Sequence, residues 1–274
     1  MNRNRRAVVA VIRKDLKVVT QNRMVWLPMI MVPAIMQVFL PLVLTLLPTF
    51  VGPEEFEIDD IRSLMSAMPA SLTASLQGLS GQELWIILSV NYMFAPMFLI
   101  VPLMVSSILG ADSFVGEKER KTLEGLLYTP ITDAELFIAK LLTALLPALI
   151  ISTASFLVYG IVVNASGYHI VGHLFFPTAM WWPLVFWVGP GVSVAGLGVT
   201  VLISSKAKTF MQAQQLSGTL VLPIVAMMIG QMSGLFFLSS TLVIIVGLFV
   251  WLLGIWLIWI GAKTFSRGEL MSRI

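Results

Sequence analysis

The sequence predicts an all-α polytopic membrane protein with six transmembrane helices and both termini in the cytoplasm. The composition supports this fold class first. Hydrophobic residues make up 58% of the 274 residues, charged residues only 11%, and the mean hydropathy is +0.93. Soluble domains contain about a quarter charged residues, which they need to cover a surface in contact with water. We therefore expect most of the outer surface of this chain to face lipid.

The spacing of the charged residues predicts the number of spans. Four stretches of 30, 28, 65 and 54 residues contain no Asp, Glu, Lys or Arg: 24–53, 84–111, 141–205 and 209–262. One spanning helix needs about 20 apolar residues, so the first two stretches hold one span each and the last two hold two each. Turn-forming residues from 164 to 177 and from 230 to 234 divide the long stretches. The six predicted spans lie near 25–48, 84–110, 141–163, 180–203, 212–234 and 239–261.

The basic residues predict the orientation. With six spans, 16 of the 17 Lys and Arg residues lie on the same side as the termini, and only Arg62 lies on the other side. Basic residues concentrate in the cytoplasmic loops of membrane proteins. We therefore expect both termini in the cytoplasm, in a multi-pass protein of a prokaryotic cell membrane.

Residues 3–20 are predicted to form an amphipathic helix before span 1. At about 100° per residue, Ile12 and Leu16 share one side with several valines. The opposite side is basic, although Asp15 interrupts the pattern; the basic residues include Arg6, Arg13, Lys14 and Lys17. Two interpretations remain open: a helix that anchors the chain in the membrane interface, and a helix that also packs on a partner subunit.

Between spans 1 and 2, residues 49–83 form a large outer loop. The loop opens with five acidic residues between 54 and 60, and apolar residues then recur every three or four positions. This pattern predicts a solvated acidic loop with a surface helix, or a helix that covers the exit of a pathway.

No ionisable residue is expected inside a span, but uncharged polar residues are present there. Such side chains either line a pathway or hold helices together through hydrogen bonds. The candidates for the pathway are Gln37, Asn91, Thr153, Gln215 and Gln231.

Motifs for chemistry are missing from the sequence. It contains no G-x-x-x-x-G-K-[ST] pattern of the P-loop, no H-E-x-x-H pattern of metalloproteases and no G-x-S-x-G pattern of hydrolases. It also has no cysteine. The only two histidines, His169 and His173, are expected to be an interfacial pair without a metal ion. The basic residues are not gathered on a soluble domain, so nucleic acid is not an expected partner. We expect a protein without catalytic residues and without a cofactor of its own.

The loop between spans 2 and 3, residues 112–140, has the densest charge in the chain. Its alternating charges lead into several leucines and then Pro130. A helix usually ends before a proline, so a short helix is predicted up to that point. Thr132 and Glu135 form a capping box that starts the next helix, which becomes span 3.

The segment Glu117-Lys-Glu-Arg-Lys-Thr-Leu-Glu124, followed by Thr129-Pro130, resembles the cytoplasmic loop of ABC exporter permeases of the type-2 superfamily. The segment 204–216 is similar to the stretch that precedes span 5 in that family. This resemblance implies an elbow helix at 3–20 and a coupling helix near 116–127, in a single permease domain that covers 1–274. It also implies a second permease chain and separate P-loop ATPase subunits, which would hold the ATP and Mg. The residues expected to couple to the ATPase are Glu117, Arg120, Thr122, Leu123, Glu124, Leu126 and Leu127.

Within this helix, we expect the leucines to fill a groove on the ATPase and Glu117, Arg120 and Glu124 to form ion pairs at its rim. The expected function is that of the membrane subunit of an ATP-driven exporter. A self-contained carrier or channel is the alternative, and an integral membrane enzyme is a third class that the missing motifs disfavour.

Overall fold

The computed structural model describes residues 2–52, 68, 73–74, 76–120, 131–233 and 235–264, including the side chains of all of these except 2–7 and 264. All regular structure in these residues is helical. Six helices are long and apolar enough to cross a membrane, which confirms the prediction of an all-helical protein with six candidate spans. We refer to them as spans 1 to 6: Arg23–Phe50, Ala95–Glu119, Asp133–Val171, Trp181–Ser204, Phe210–Met232 and Ser240–Lys263. Most of the predicted outer helix in 49–83 lies outside the described residues.

The N-terminal helix α1 (Asn2–Gln21) packs on the chain's own span 3. Val11 is buried together with Ile131, Leu136 and Ala139 near the start of that span. Ile12 is half-buried against the same cluster, whereas Arg13 is exposed. The predicted amphipathic pattern therefore corresponds to a helix that covers the neighbouring span.

Span 1 is irregular in its middle. Pro28 and Pro33 lie inside its first part, and a π-helical turn, Ile35–Phe39, precedes its last part, Leu40–Phe50. A proline removes one backbone hydrogen bond, and a π turn widens the helix locally. Span 1 packs on span 3 along this irregular region.

Span 2 is the central helix of the bundle. It is almost entirely buried and contacts spans 1, 3, 4 and 5. A short helix precedes it: α2 (Gly81–Leu88), which continues as a π turn, Ser89–Met93. The helix is interrupted between this turn and Pro96, and it resumes there as the start of span 2.

Span 3 continues past the turn that the sequence suggests. The helix runs to Val171 and ends at Gly172, which has a φ of +73°. Asn164 does not interrupt it, because its side chain donates to Gly160 O at 2.9 Å within the helix. The same amide also bonds the backbone of Phe175 and Phe176 in the returning segment. Asn164 therefore holds the outer loop against the helix.

Spans 4 and 6 approach closely through glycines. A Cβ at Gly198 would lie 2.6 Å from Leu257 Cβ, and a Cβ at Gly254 would lie 2.8 Å from the backbone nitrogen of Ala195. Small residues let membrane helices pack at short distances, where dispersion forces and backbone contacts hold them together.

Replacing Gly254 by Ala should therefore lower the stability of the bundle. The added methyl group meets the backbone of span 4, so the two helices must separate, at a cost of about 1–3 kcal/mol. We expect the purified protein in detergent to melt several degrees lower. Gly218→Ala is the matched control, because a Cβ there meets nothing within 4 Å. Equal melting temperatures for the two variants would contradict the close packing of spans 4 and 6.

Candidate functional site

Charged side chains form a cluster at the end of span 2, where the sequence predicts the start of a cytoplasmic loop. Glu117, at the end of span 2, accepts hydrogen bonds from Lys14 of α1 and from Lys140 of span 3. Lys140 is fully buried; it also donates to Ser113 O, and its Nζ lies 5.6 Å from the centre of the Phe114 ring. One carboxylate thus joins three helices. We call Lys14, Asp15, Glu117 and Lys140 the charge cluster.

The charges of the cluster balance, with two lysines against two carboxylates. The Asp15 carboxylate lies 3.2 Å from Lys14 Nζ and is buried. Burial raises the pKa of Asp15, and the negative charge of Glu117 raises it further. Burial alone would lower the pKa of Lys14, but its hydrogen bond to Glu117 and the charge of Glu117 raise that pKa overall. Lys14 therefore remains a cation in the cluster.

A second ion pair lies in the last turns of span 2. Arg120 donates to the Asp112 carboxylate across a π turn, Asp112–Gly116. Gly116 leaves room for this pair, because a Cβ there would lie 2.8 Å from Asp112 Oδ1. The π turn and the glycine together shape the helix end from which residues 121–130 continue.

The end of span 2 is also bonded to span 5. Glu119 Oε2 accepts from the backbone nitrogen of Phe210 at 2.8 Å, at the start of that helix. Thr209 caps the same helix by accepting from Gln212 N at 3.2 Å. Residues 117–120 therefore contact α1, span 3 and span 5 within one helical turn.

The sequence predicts a loop from residue 112, and the structure corrects this. The prediction ended span 2 near residue 110, but the helix continues to Glu119 and buries Asp112 and Glu117. The helix of span 2 thus contains two buried carboxylates in the region for which the sequence predicts a loop. A stretch of alternating charge after an apolar helix does not reveal which side chains find partners on other helices, so the charge cluster could not be read from the sequence.

Two of the predicted coupling residues have partners within the chain. Glu117 is 5% exposed and accepts from Lys14 and Lys140 within the chain, and its predicted ion pair with an ATPase stays a prediction. Arg120 bonds Asp112, as described above. The others lie outside the described residues and remain predictions: Thr122, Leu123, Glu124, Leu126 and Leu127.

The predicted residues of the N-terminal helix differ in their environments. Leu16 is half-buried, as is Ile12, while Lys17 is exposed, as is Arg13. Lys14 belongs to the charge cluster. The side chain of Arg6 lies outside the described residues.

A cleft of about 360 Å³ lies between spans 2 and 5, in the half of the bundle near the charge cluster. Gln215, one of the five pathway candidates, lines it together with Gln214 and Ser107. Ser107 is 6% exposed, and its hydroxyl has no hydrogen-bond partner in the described part of the chain. The remaining lining is apolar and includes Leu103 and Val221. An uncharged cleft of this kind suits an uncharged or weakly polar molecule.

Asn91 and Gln231, two further candidates, lie at the break before span 2. The carbonyl of residue 90 accepts a hydrogen bond from Tyr159 OH at 2.7 Å, and that of residue 91 accepts one from Trp181 Nε1 at 3.1 Å. The carbonyl of residue 92 accepts one from Gln231 Nε2 at 2.8 Å. Asn91 donates to Ile87 O and Phe175 O. Pro96 has no N–H to donate to the carbonyl four residues earlier. Side chains from spans 3, 4 and 5 donate hydrogen bonds to the carbonyls at this interruption of the helix instead. These two residues hold helices together.

The other two candidates lie on different helices. Gln37 of span 1 lines a groove against span 3, away from the cleft. Thr153 is half-buried on span 3. The five polar residues thus do not form one continuous path within a single chain.

The chain matches the model of the family described as ABC-2 family transporter protein over residues 9–253. No curated protein and no solved structure matches it. The family match covers most of the chain, including all of spans 1 to 5, and agrees with the six apolar helices. Members of this family are membrane components that contain no ATPase site of their own. The chain therefore belongs to the ABC-2 transporter family.

Proposed function

We propose that this chain is the permease subunit of an ATP-driven exporter, with both termini in the cytoplasm. Two copies, or one copy and a related chain, form the pathway, and separate P-loop ATPase subunits bind the ATP and Mg and supply the energy. The family membership and the absence of a P-loop in the sequence support this division of labour.

The observation that carries the proposal is the arrangement of residues 117–120. These residues begin the predicted coupling helix near 116–127, and they are bonded to α1, span 3 and span 5. A displacement of the coupling helix would therefore act on three other helices through ion pairs and one hydrogen bond from a side chain to the backbone. Such a connection is what a subunit without its own energy source needs, because a motion must enter it from outside and reach several helices together.

The pathway in this proposal includes the cleft between spans 2 and 5. Gln212, Gln215 and Thr219 are exposed on span 5 beside it. Polar side chains are costly against hydrocarbon, so this face is suited to contact with a second permease chain or with water in a pathway. The apolar remainder of the lining disfavours a bare inorganic ion as the substrate.

We expect the purified chain to bind a separate P-loop ATPase from its source cell, and transport by the reconstituted complex to require hydrolysable ATP. The test is co-purification from detergent, followed by ATPase and transport measurements in liposomes, with an ATPase that lacks its P-loop lysine as the control. Transport by the chain alone, driven by an ion gradient and indifferent to ATP, would favour the carrier alternative.

A further inference from the structure

A groove lies between spans 1 and 3, separate from the cleft between spans 2 and 5. It has a volume of about 270 Å³ and is lined by residues that include Pro33, Ala34, Gln37, Ile151 and Ser155. Span 1 is irregular along this groove: Pro33 has no N–H to donate, and the π turn 35–39 follows directly. Ala34 and Ala154 add little side-chain volume at the contact.

Two polar side chains in this groove have no partner. Gln37 is 2% exposed and Ser155 is 7% exposed, and neither side chain makes a hydrogen bond to any described residue. The buried amides of Asn91 and Gln231, by contrast, both donate to backbone carbonyls, although their side-chain oxygens have no partner among the described residues. A buried amide without a partner costs free energy, and no bulk water is present in the hydrocarbon region to supply one.

The groove is reached from the lipid. Gln37 lies near the middle of the 28-residue span 1, so it is far from both membrane surfaces. Ile30 is 58% exposed and Val158 is 42% exposed, and both line the groove. No charged residue is among its lining residues. A molecule that enters here must dissolve in hydrocarbon.

We propose that this groove binds a neutral, mostly apolar ligand from the membrane that carries one hydrogen-bonding group, of the class of a long-chain alcohol. The apolar part lies along the helices of spans 1 and 3, and the polar group bonds the Gln37 amide, with Ser155 beside it. An amide both donates and accepts, so a hydroxyl group suits it. The proposal does not depend on the exporter function, because it concerns a different pair of helices.

The test is photolabelling in lipid nanodiscs with a diazirine-bearing hexadecanol, followed by peptide mapping. We expect saturable adducts within 29–38 and 151–158 that an excess of plain hexadecanol removes. Gln37→Leu should reduce this labelling about fivefold, the effect of losing one hydrogen bond inside a membrane protein. Ser155→Ala should reduce it less. Gln215→Leu, which changes the other cleft, should leave it unchanged.

A diazirine-bearing hexadecane, which lacks the hydroxyl group, provides the second comparison. Its labelling should be equal in the wild type and in Gln37→Leu, because it cannot bond the amide. Labelling by the alcohol that does not saturate, or that is equal in the wild type and in a monodisperse Gln37→Leu protein, would overturn the proposal. Absence of adducts in this groove, as expected if a second copy of the chain fills it, would also overturn it.

Discussion

Replacing Glu117 by Gln is expected to lower the stability of the bundle by about 3–5 kcal/mol, the cost of removing one partner from a buried ion pair. The amide cannot neutralise Lys140, whose fully buried side chain would lose its hydrogen-bonded carboxylate. We expect a loss of roughly ten degrees in melting temperature, measured on the purified protein in detergent. Lys14 contributes less to the loss, because its side chain is 42% exposed and water can replace the carboxylate.

A second substitution separates this explanation from a general loss of packing. Glu117→Gln combined with Lys140→Met removes the buried charge, and it should recover much of the lost stability, since apolar replacements of buried ion pairs are often neutral. Glu83→Gln is the matched control, because Gln also supports the capping box that Glu83 forms with Ser80. If the double variant is less stable than Glu117→Gln, the unpaired charge is not the cause.

The second large effect is expected in the segment 121–130. Leu123→Ala or Leu126→Ala should weaken binding to the ATPase by at least about thirtyfold, equivalent to 2 kcal/mol or more for an apolar anchor at an interface. Lys118→Ala should have a much smaller effect, because charged contacts at the rim of an interface contribute little. The measurement is a pull-down titration of the ATPase, with transport assayed in parallel.

The two predictions differ in their readouts. The leucine variants should keep the melting temperature of the isolated chain, whereas Glu117→Gln should lower it. If Lys118→Ala weakens ATPase binding most and both leucine variants bind like the wild type, docking through leucines is wrong. The segment would then dock through charge or be a solvated hairpin.

The sequence was sufficient for features that depend on local composition and spacing. Charge-free stretches long enough for a span predict six helices, because the hydrocarbon core sets a minimum length for each of them. The capping box at Thr132 and Glu135 predicts the start of span 3, and the structure contains both of its hydrogen bonds. The amphipathic pattern of 3–20 indicates a helix with one buried side, and α1 is such a helix.

The sequence was misleading where a polar residue has a partner far away along the chain. Asn164 suggests a turn, yet the amide bonds the segment that returns after span 3. Asp112 and Glu117 suggest a solvated loop, yet Glu117 meets lysines 103 and 23 residues away. Neither outcome can be inferred from neighbouring residues.

The sequence by itself therefore determined the number of spans, the strong asymmetry of the basic residues and the resemblance to type-2 exporter permeases. Only the tertiary structure decided that α1 packs on span 3, that Glu117 joins three helices and that Gln37 and Gln215 line different cavities. The physical reason is that apolar length and helical periodicity act within one segment. The partners of a buried charge or amide come from other helices, so they are known only once those helices are packed together.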